Sequence, residues 1–254
     1  MEQPTDIRLK KCFRDLRLPG IRDSYEELTA AAVREGMAYD RYLLGLLERE
    51  SDVRWNHRVD RLMRESRLPL EKTMDRFEMK RLPAKAVHQV KALLHGGFLE
   101  RRENVLAFGN PGSGKTHLVC ALGQALVRQG REVYFSTCGL LVQELLLAKK
   151  NLQLPRMLKR LSRYQALIID DIGYVHQDRD EMDVLFTLLA ERYERGSVLI
   201  TSNLPFSKWD TIFKDPMVTA AAIDRLVHHS VILELNIGSY RMSAAKKKTA
   251  EAVA

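Results

Sequence analysis

The chain has 254 residues, 45% hydrophobic and 29% charged, which fits a water-soluble globular protein with one large core or a core plus a small helical domain. No apolar run approaches the roughly 20 residues that cross a bilayer, the opening MEQPTDIRLKKCF lacks a secretory apolar core, and Cys12, Cys120 and Cys138 are too scattered for a disulfide framework or a zinc site, so a cytoplasmic protein without membrane contact is expected. The formal net charge of +8 favours an anionic partner such as nucleic acid, through phosphate neutralisation and counterion release.

Residues 1–68 read as a helical N-terminal domain. Apolar positions recur at spacings of three and four: Phe13 and Leu16, then Tyr25, Leu28 and Ala32, then Tyr42, Leu43, Leu46 and Leu47. Leu18-Pro19-Gly20 and Gly36 divide this domain into three helices. On the third, Arg54, Arg58 and Arg61 share one face. That face is either a surface for DNA phosphates or a solvated one laced with ion pairs, since Asp52, Asp60 and Glu65 neutralise part of it. Leu68-Pro69 ends the helix, because the residue before proline is pushed out of the α region.

Residues 69–102 form a connecting segment with a helix near Ala84–Leu94, and strands and helices alternate from 103 to 241. The expected strands are Val105–Gly109, Glu132–Ser136, Ala166–Asp170, Ser197–Ser202 and Val231–Leu235. Between them lie helices at Lys115–Gln129, Leu140–Lys149, Pro155–Ser162, Asp180–Glu194 and Pro216–Val227. This is the pattern of an α/β fold, a mostly parallel sheet with helices on both faces. The Ala/Lys-rich stretch 242–254 reads as a frayed tail.

Gly109-Asn110-Pro111-Gly112-Ser113-Gly114-Lys115-Thr116 matches GxxxxGK[ST] in full, between an apolar strand and a helix. The glycines allow a tight turn whose N–H groups converge on phosphates, and the helix start favours the same anion. Lys115 is expected on the β- and γ-phosphates of ATP, and the Thr116 hydroxyl on Mg²⁺. The strand Ala166-Leu167-Ile168-Ile169 ends in Asp170 and Asp171. In a parallel sheet, ligands bind at the carboxyl ends of strands, so these acids should face the phosphate loop. Asp170 is placed to hold Mg²⁺ and Asp171 to polarise the attacking water. Leu199-Ile200-Thr201-Ser202-Asn203 is a further strand with a polar end, and Asn203 is placed to orient the lytic water or contact the γ-phosphate.

Near the end of the last helix, Arg225 is either an arginine finger for a neighbouring subunit or the partner of a nearby acid such as Asp224. His228 and His229 have no carboxylate or cysteine at metal-binding spacing in the sequence and read as ordinary histidines at a helix end. A second basic set, Lys149, Lys150, Arg156, Lys159, Arg160 and Arg163, contains no acid, and is either a DNA-contacting surface or a solubilising stretch. It lacks interleaved aromatics, so contact with backbone and shape is expected rather than base stacking.

Together, Gly109–Thr116, Ile169-Asp170-Asp171 with Gly173, and Thr201-Ser202-Asn203 resemble the AAA+ ATPases, in the branch of DnaC-type helicase loaders and IstB-type transposition helpers. Thr219–Leu226 with His228-His229-Ser230 and Gly238-Ser239-Tyr240-Arg241, and Leu16–Gly20 near the start, look specifically like the IstB type. The resemblance implies a P-loop NTPase with strand order 5-1-4-3-2. It also implies an ATP-dependent homo-oligomer that assembles on duplex DNA, distorts it and presents it to a partner transposase. Asp170 would then be the magnesium-side acid, Asp171 the catalytic base, Asn203 the polar sensor and Arg225 a finger acting in trans. Two departures stand out: many AAA+ proteins have glutamate where Asp171 stands, and only about twenty residues follow Leu235, too few for a helical lid. A replicative helicase loader is the alternative; a small-molecule kinase fits less well, because such kinases carry a substrate lid and lack the polar sensor strand.

Overall fold

In the computed structural model, residues 4–173, 179–209, 212 and 216–240 are described. Arg241 and the 242–254 stretch, on which the sequence reading also commented, lie outside them. Compact packing divides the chain into one unit ending at Arg61 and a second from Leu62 onward.

The first unit contains α1 (Thr5–Asp15), α2 (Pro19–Glu35) and most of α3 (Tyr39–Ser66), broken where proline and glycine predict. Proline opens α2, and Gly36 ends it in the left-handed conformation with φ of 61°. The buried apolar side chains here are Ile21 and Leu46, while Leu43, Leu44 and Leu47 are exposed. Much of the unit's specificity therefore rests on a polar contact. The Glu50 carboxylate of α3, almost fully buried, accepts the N–H groups of Gly20 at 2.8 Å and Ile21 at 3.2 Å. It thus neutralises the open start of α2, a favourable place for an anion. Arg54 Nε donates to the same carboxylate at 2.7 Å, and Arg54 Nη2 donates to the Arg17 carbonyl. Gly20 is required at the crossing, because a Cβ there would lie 2.8 Å from the Arg49 carbonyl and the Glu50 Cα.

The second unit is built on a five-stranded sheet in the order β2-β3-β4-β1-β5: β1 (Asn104–Gly109), β2 (Val133–Thr137), β3 (Ala166–Ile172), β4 (Ser197–Ser202) and β5 (Ser230–Leu235). Read from the other edge, this is the 5-1-4-3-2 order implied by the resemblance, and every pairing is parallel. Two helices lead into the sheet, α4 (Ala84–Leu94) and the short α5 (Gly97–Glu100); α6 (Lys115–Arg128) follows β1, and α7 (Cys138–Lys150) and α8 (Leu154–Leu161) follow β2. After β3 comes α9 (Arg179–Arg192), and α10 (Pro216–Val227) precedes β5.

Alternation along the strands explains the two helical layers. Leu106, Leu167, Ile169, Val198 and Ile200 join one apolar cluster with Leu141 and Leu145 of α7, Leu185 and Leu188 of α9 and Leu226 of α10. The intervening residues face α6: a Cβ added at Gly123 would come 2.8 Å from the Ile168 side chain. Arg192, buried with no carboxylate beside it among the described residues, ties the connections together by donating to the carbonyls of Leu161, Tyr164, Gln165 and Ser197. Burial pulls its pKa down to about 10. Of the cysteines, Cys12 is exposed, whereas Cys120 and Cys138 are buried and the Cys120 thiol is pushed up to about 12 by desolvation.

Burial works against ionisation of Glu50, but Arg54 and the backbone N–H groups of Ile21 and Gly20 outweigh it and hold the carboxyl below its ordinary range. A folded-state pKa below the unfolded one stabilises the unit above the ordinary glutamate value of about 4.3, and that contribution fades as pH falls through the folded value. Glu50→Gln should cost about 1–3 kcal/mol in chemical denaturation at pH 7. It should also remove part of the wild type's acid-induced loss of stability; unchanged stability and an unchanged acid profile would contradict the capping role.

Candidate functional site

The strand register positions the site. Gly109 ends β1 opposite Leu235, Asp170 lies near the end of β3, and Ser202 ends β4 just before Asn203, so all these ends reach the same edge of the sheet. The loop from Gly109 turns sharply, with Gly112 and Gly114 at φ of 78° and 91°, values that L side chains adopt at a cost. It opens directly into α6 at Lys115. The Lys115 ammonium, largely buried, donates to the carbonyls of Gly109 at 2.8 Å and Asn110 at 3.0 Å. Ser113 Oγ is fully buried and has no hydrogen-bond partner among the described residues.

A cleft of about 630 Å³ is lined by Pro111, Gly112, Gly114, Lys115, Thr116, Asp170, Asp171 and Asn203. Phosphate loop, acids and the Asn203 amide therefore meet in one place. The strand expected to stop at Asp170 runs on to Ile172, because β3 carries a bulge: Ile169 pairs with Ile200 and Ile172 with Ser202, leaving one residue extra. Asp171 takes up the irregularity with φ of 60°, a left-handed geometry aspartate tolerates, and is exposed in the cleft.

Thr201 is a site residue that the sequence reading passed over. Fully buried on β4, its hydroxyl donates to Asp170 Oδ1 at 2.6 Å and accepts the Asp171 N–H at 2.8 Å. One side chain thus fixes both the almost fully buried acid and the backbone of the exposed one. The signal was the threonine two residues before Asn203, visible only once β3 and β4 are known to pair.

Phe77 also lines the cleft. Its ring lies 5.5 Å from His117 and 6.2 Å from Tyr240, centre to centre. Tyr240 N donates to the Gly112 carbonyl at 2.9 Å, and Arg81 stacks on the Tyr240 ring at 3.8 Å while donating to the Gly238 carbonyl. The segment after β5 therefore straps the phosphate loop from outside. A Cβ on Gly112 would collide with Ser239.

Arg225 stands elsewhere. It lies near the end of α10, beside the start of β5, and the five steps from Ser230 to Leu235 separate the two edges by about 17 Å of strand. Neither Asp224 nor any other described acid pairs with it. Its guanidinium lies 4.8 Å from the Phe186 ring centre, and Nη1 is buried without a hydrogen-bond partner among the described residues.

The basic sets differ in character. Arg54 is committed to Glu50 and the Arg17 carbonyl, Arg58 lies 5.9 Å from the Trp55 ring centre, and all three arginines of that face are exposed. On α7 and α8, a cleft of about 600 Å³ gathers Arg67 with Arg156, Lys159, Arg160 and Arg163. The set that is free of acids in sequence acquires one in space, since Glu144 pairs with Arg67 at 2.9 Å and Arg160 at 3.7 Å. Lys149 lies 3.9 Å from Asp180, while Lys150, Arg156, Lys159 and Arg163 make no ion pair among the described residues.

The fold and the phosphate cleft define a P-loop ATPase of the AAA+ class. Within it, the family model described as IstB-like ATP binding protein matches residues 12–249, and the chain belongs to that family. An insertion sequence ATP-binding protein of Sinorhizobium fredii is 41% identical over 94% of this chain and 81% of its own length. The ATP-binding protein of insertion sequence IS21 in Pseudomonas aeruginosa is 35% identical, over 91% and 88%. Among solved structures, the DnaC helicase loader superposes with a TM-score of 0.55 at 18% identity, covering 66% of this chain and 98% of that one. DnaA from Aquifex aeolicus, bound to AMPPCP, gives 0.57 at 19%, over 73% and 56%.

Replacing Thr201 by valine keeps the shape and removes both hydrogen bonds. We expect ATP hydrolysis to fall by about tenfold or more while affinity for a fluorescent ATP analogue stays within about threefold, the signature of lost transition-state positioning. Hydrolysis at the wild-type rate in Thr201→Val would remove this role.

Proposed function

We propose that the protein is an ATP-dependent DNA-binding ATPase that oligomerises on duplex DNA, distorts it and presents it as target to a partner transposase. The observation that carries the reading is the separation of Arg225 from its own phosphate loop. A guanidinium at the opposite edge of the sheet is out of reach of the γ-phosphate bound by the same chain, and suits that of a neighbour. Arg225 makes no salt bridge among the described residues, so its charge is not committed to an acid of its own chain.

Within each site, the phosphates would lie on the loop N–H groups and Lys115, with the Thr116 hydroxyl and Asp170 as hard oxygen donors for Mg²⁺. Bound there, Mg²⁺ would neutralise charge on the β- and γ-phosphates. Asp171, exposed in the cleft, is the base for the attacking water, and Asn203 orients that water. In trans, Arg225 stabilises charge that develops on the transferred phosphoryl group.

The α7–α8 cleft supports the DNA part of the reading. Its cations are exposed, mostly unpaired and without stacking aromatics among them, a surface for phosphodiester backbone rather than bases. Arg58 and Arg61 form a separate exposed basic face of the first unit, whereas Arg54 is committed to Glu50 and the Arg17 carbonyl. The transposase partner rests on kinship, because the relatives are named as insertion sequence proteins. Likeness to a helicase loader concerns the fold alone.

Negative-stain imaging of the protein with ATP and duplex DNA tests this directly. Wild type should form ordered assemblies, Lys115→Ala none and Arg225→Ala fewer. The double variant Arg156→Glu/Lys159→Glu should bind DNA about tenfold or more weakly, with a shallower salt dependence. A wild type that stays monomeric and ignores DNA in the presence of ATP would refute the proposal.

A further inference from the structure

At the edge of the sheet away from the phosphate loop, three side chains from two separate turns converge. Glu194 follows α9 in a left-handed conformation, with φ of 56°. His228 and His229 form the turn between α10 and β5, with ring centres 4.2 Å apart. One donor atom from each of the three lies within 4.8 Å of the other two. The sequence reading dismissed these histidines for want of a carboxylate. The carboxylate is there, supplied by a helix end 34 residues earlier and brought in by the fold.

We propose that Glu194, His228 and His229 form a binding site for a divalent ion of the zinc class. Two imidazoles and one carboxylate are a donor set suited to Zn²⁺, Co²⁺ or Ni²⁺ and poorly suited to Mg²⁺ or Ca²⁺, which take oxygens. Around a tetrahedral zinc, with ligand bonds of about 2.0–2.2 Å, donors stand about 3.4 Å apart. Exposed side chains close from 4.8 Å to that spacing by small torsional changes.

The backbone and the surroundings hold the three in place. His228 N donates to the Asp224 carbonyl, Asn104 N donates to the His229 carbonyl, and Arg102 donates to the Glu194 carbonyl. Tyr193 supplies the outer support that metal-binding imidazoles usually have: its hydroxyl lies 3.1 Å from His228 Nδ1, leaving Nε2 for an ion.

Nearby arginines do not claim the carboxylate. Arg101 is paired with Glu103, Arg102 is directed at a backbone carbonyl, and Arg225 lies on Phe186. Three protein ligands leave a fourth position for water. The ion would sit beside the cleft of about 240 Å³ that Arg225 also lines.

The test is Co²⁺ titration of untagged, nucleotide-free full-length protein, followed by visible absorption and by Zn²⁺ competition. Two substitutions remove other metal-binding groups, Cys12→Ser for the exposed thiol and Asp170→Asn for the phosphate cleft. In that background one equivalent of Co²⁺ should give the intense bands of a tetrahedral site, displaced by Zn²⁺ and insensitive to excess Mg²⁺. Glu194→Gln and His229→Ala, both exposed and checked for folding by circular dichroism, should each weaken binding at least tenfold. Tyr193→Phe, which keeps all three ligands, should weaken it about tenfold. Absence of saturable binding, or unchanged affinity in Glu194→Gln and His229→Ala, would overturn the site.

Discussion

The parallel register of β1 between β4 and β5 governs everything else in the ATPase unit. Strands running the same way send their carboxyl ends to one edge, and the side chains there come from β1, β3 and β4, which are far apart in sequence. Phosphate loop, paired acids and polar amide meet for that reason alone. The same constraint sends the start of β5 to the other edge, with Arg225, His228 and His229 beside it. Two chemistries on one sheet are thereby kept about 17 Å apart. In the proposed function, Arg225 acts at that distance only on phosphates that a second subunit brings to it.

Within the nucleotide edge, small departures from regularity do the positioning. An extra residue in β3 turns Asp171 into the cleft while Asp170 stays buried, and Thr201 fastens both. Two neighbouring aspartates acquire different environments, one suited to a metal shell and one to solvent. On the outer side of the phosphate loop, glycines serve close approach as much as curvature, since Gly112 leaves room for Ser239 and Gly114 for Phe77 and Tyr240.

The alternation of apolar strands with helices, and turn residues such as Pro19, Gly20 and Gly36, were enough to read the fold class and element boundaries to within a few residues. Local motifs with a complete spacing pattern, Gly109–Thr116 above all, were readable because their chemistry depends on consecutive residues. What stayed hidden depends on pairing across the fold. Thr201 is an ordinary strand residue until β3 lies beside it. Glu144, on α7 just before the basic run begins, folds against Arg67 and Arg160, and Glu194 reaches His228 and His229 from the end of α9. Arg54 looked like one of three equal surface cations until Glu50 and the Arg17 carbonyl claimed it. Hydrophobic period says which face is buried; it does not say which polar side chains will meet.

The central claim, that hydrolysis needs groups from two subunits, is tested most directly by mixing two inactive proteins. Asp171→Asn lacks the base but keeps its finger, and Arg225→Ala keeps the base and lacks the finger. If each active centre joins the cleft of one subunit to Arg225 of the next, an equal mixture assembled with ATP should recover about a quarter of the wild-type ATPase rate, the share of interfaces that pair an intact cleft with an intact arginine. A mixture as inactive as its two components, in assemblies that imaging shows to be mixed, would contradict the account and leave Arg225 with a role inside its own chain.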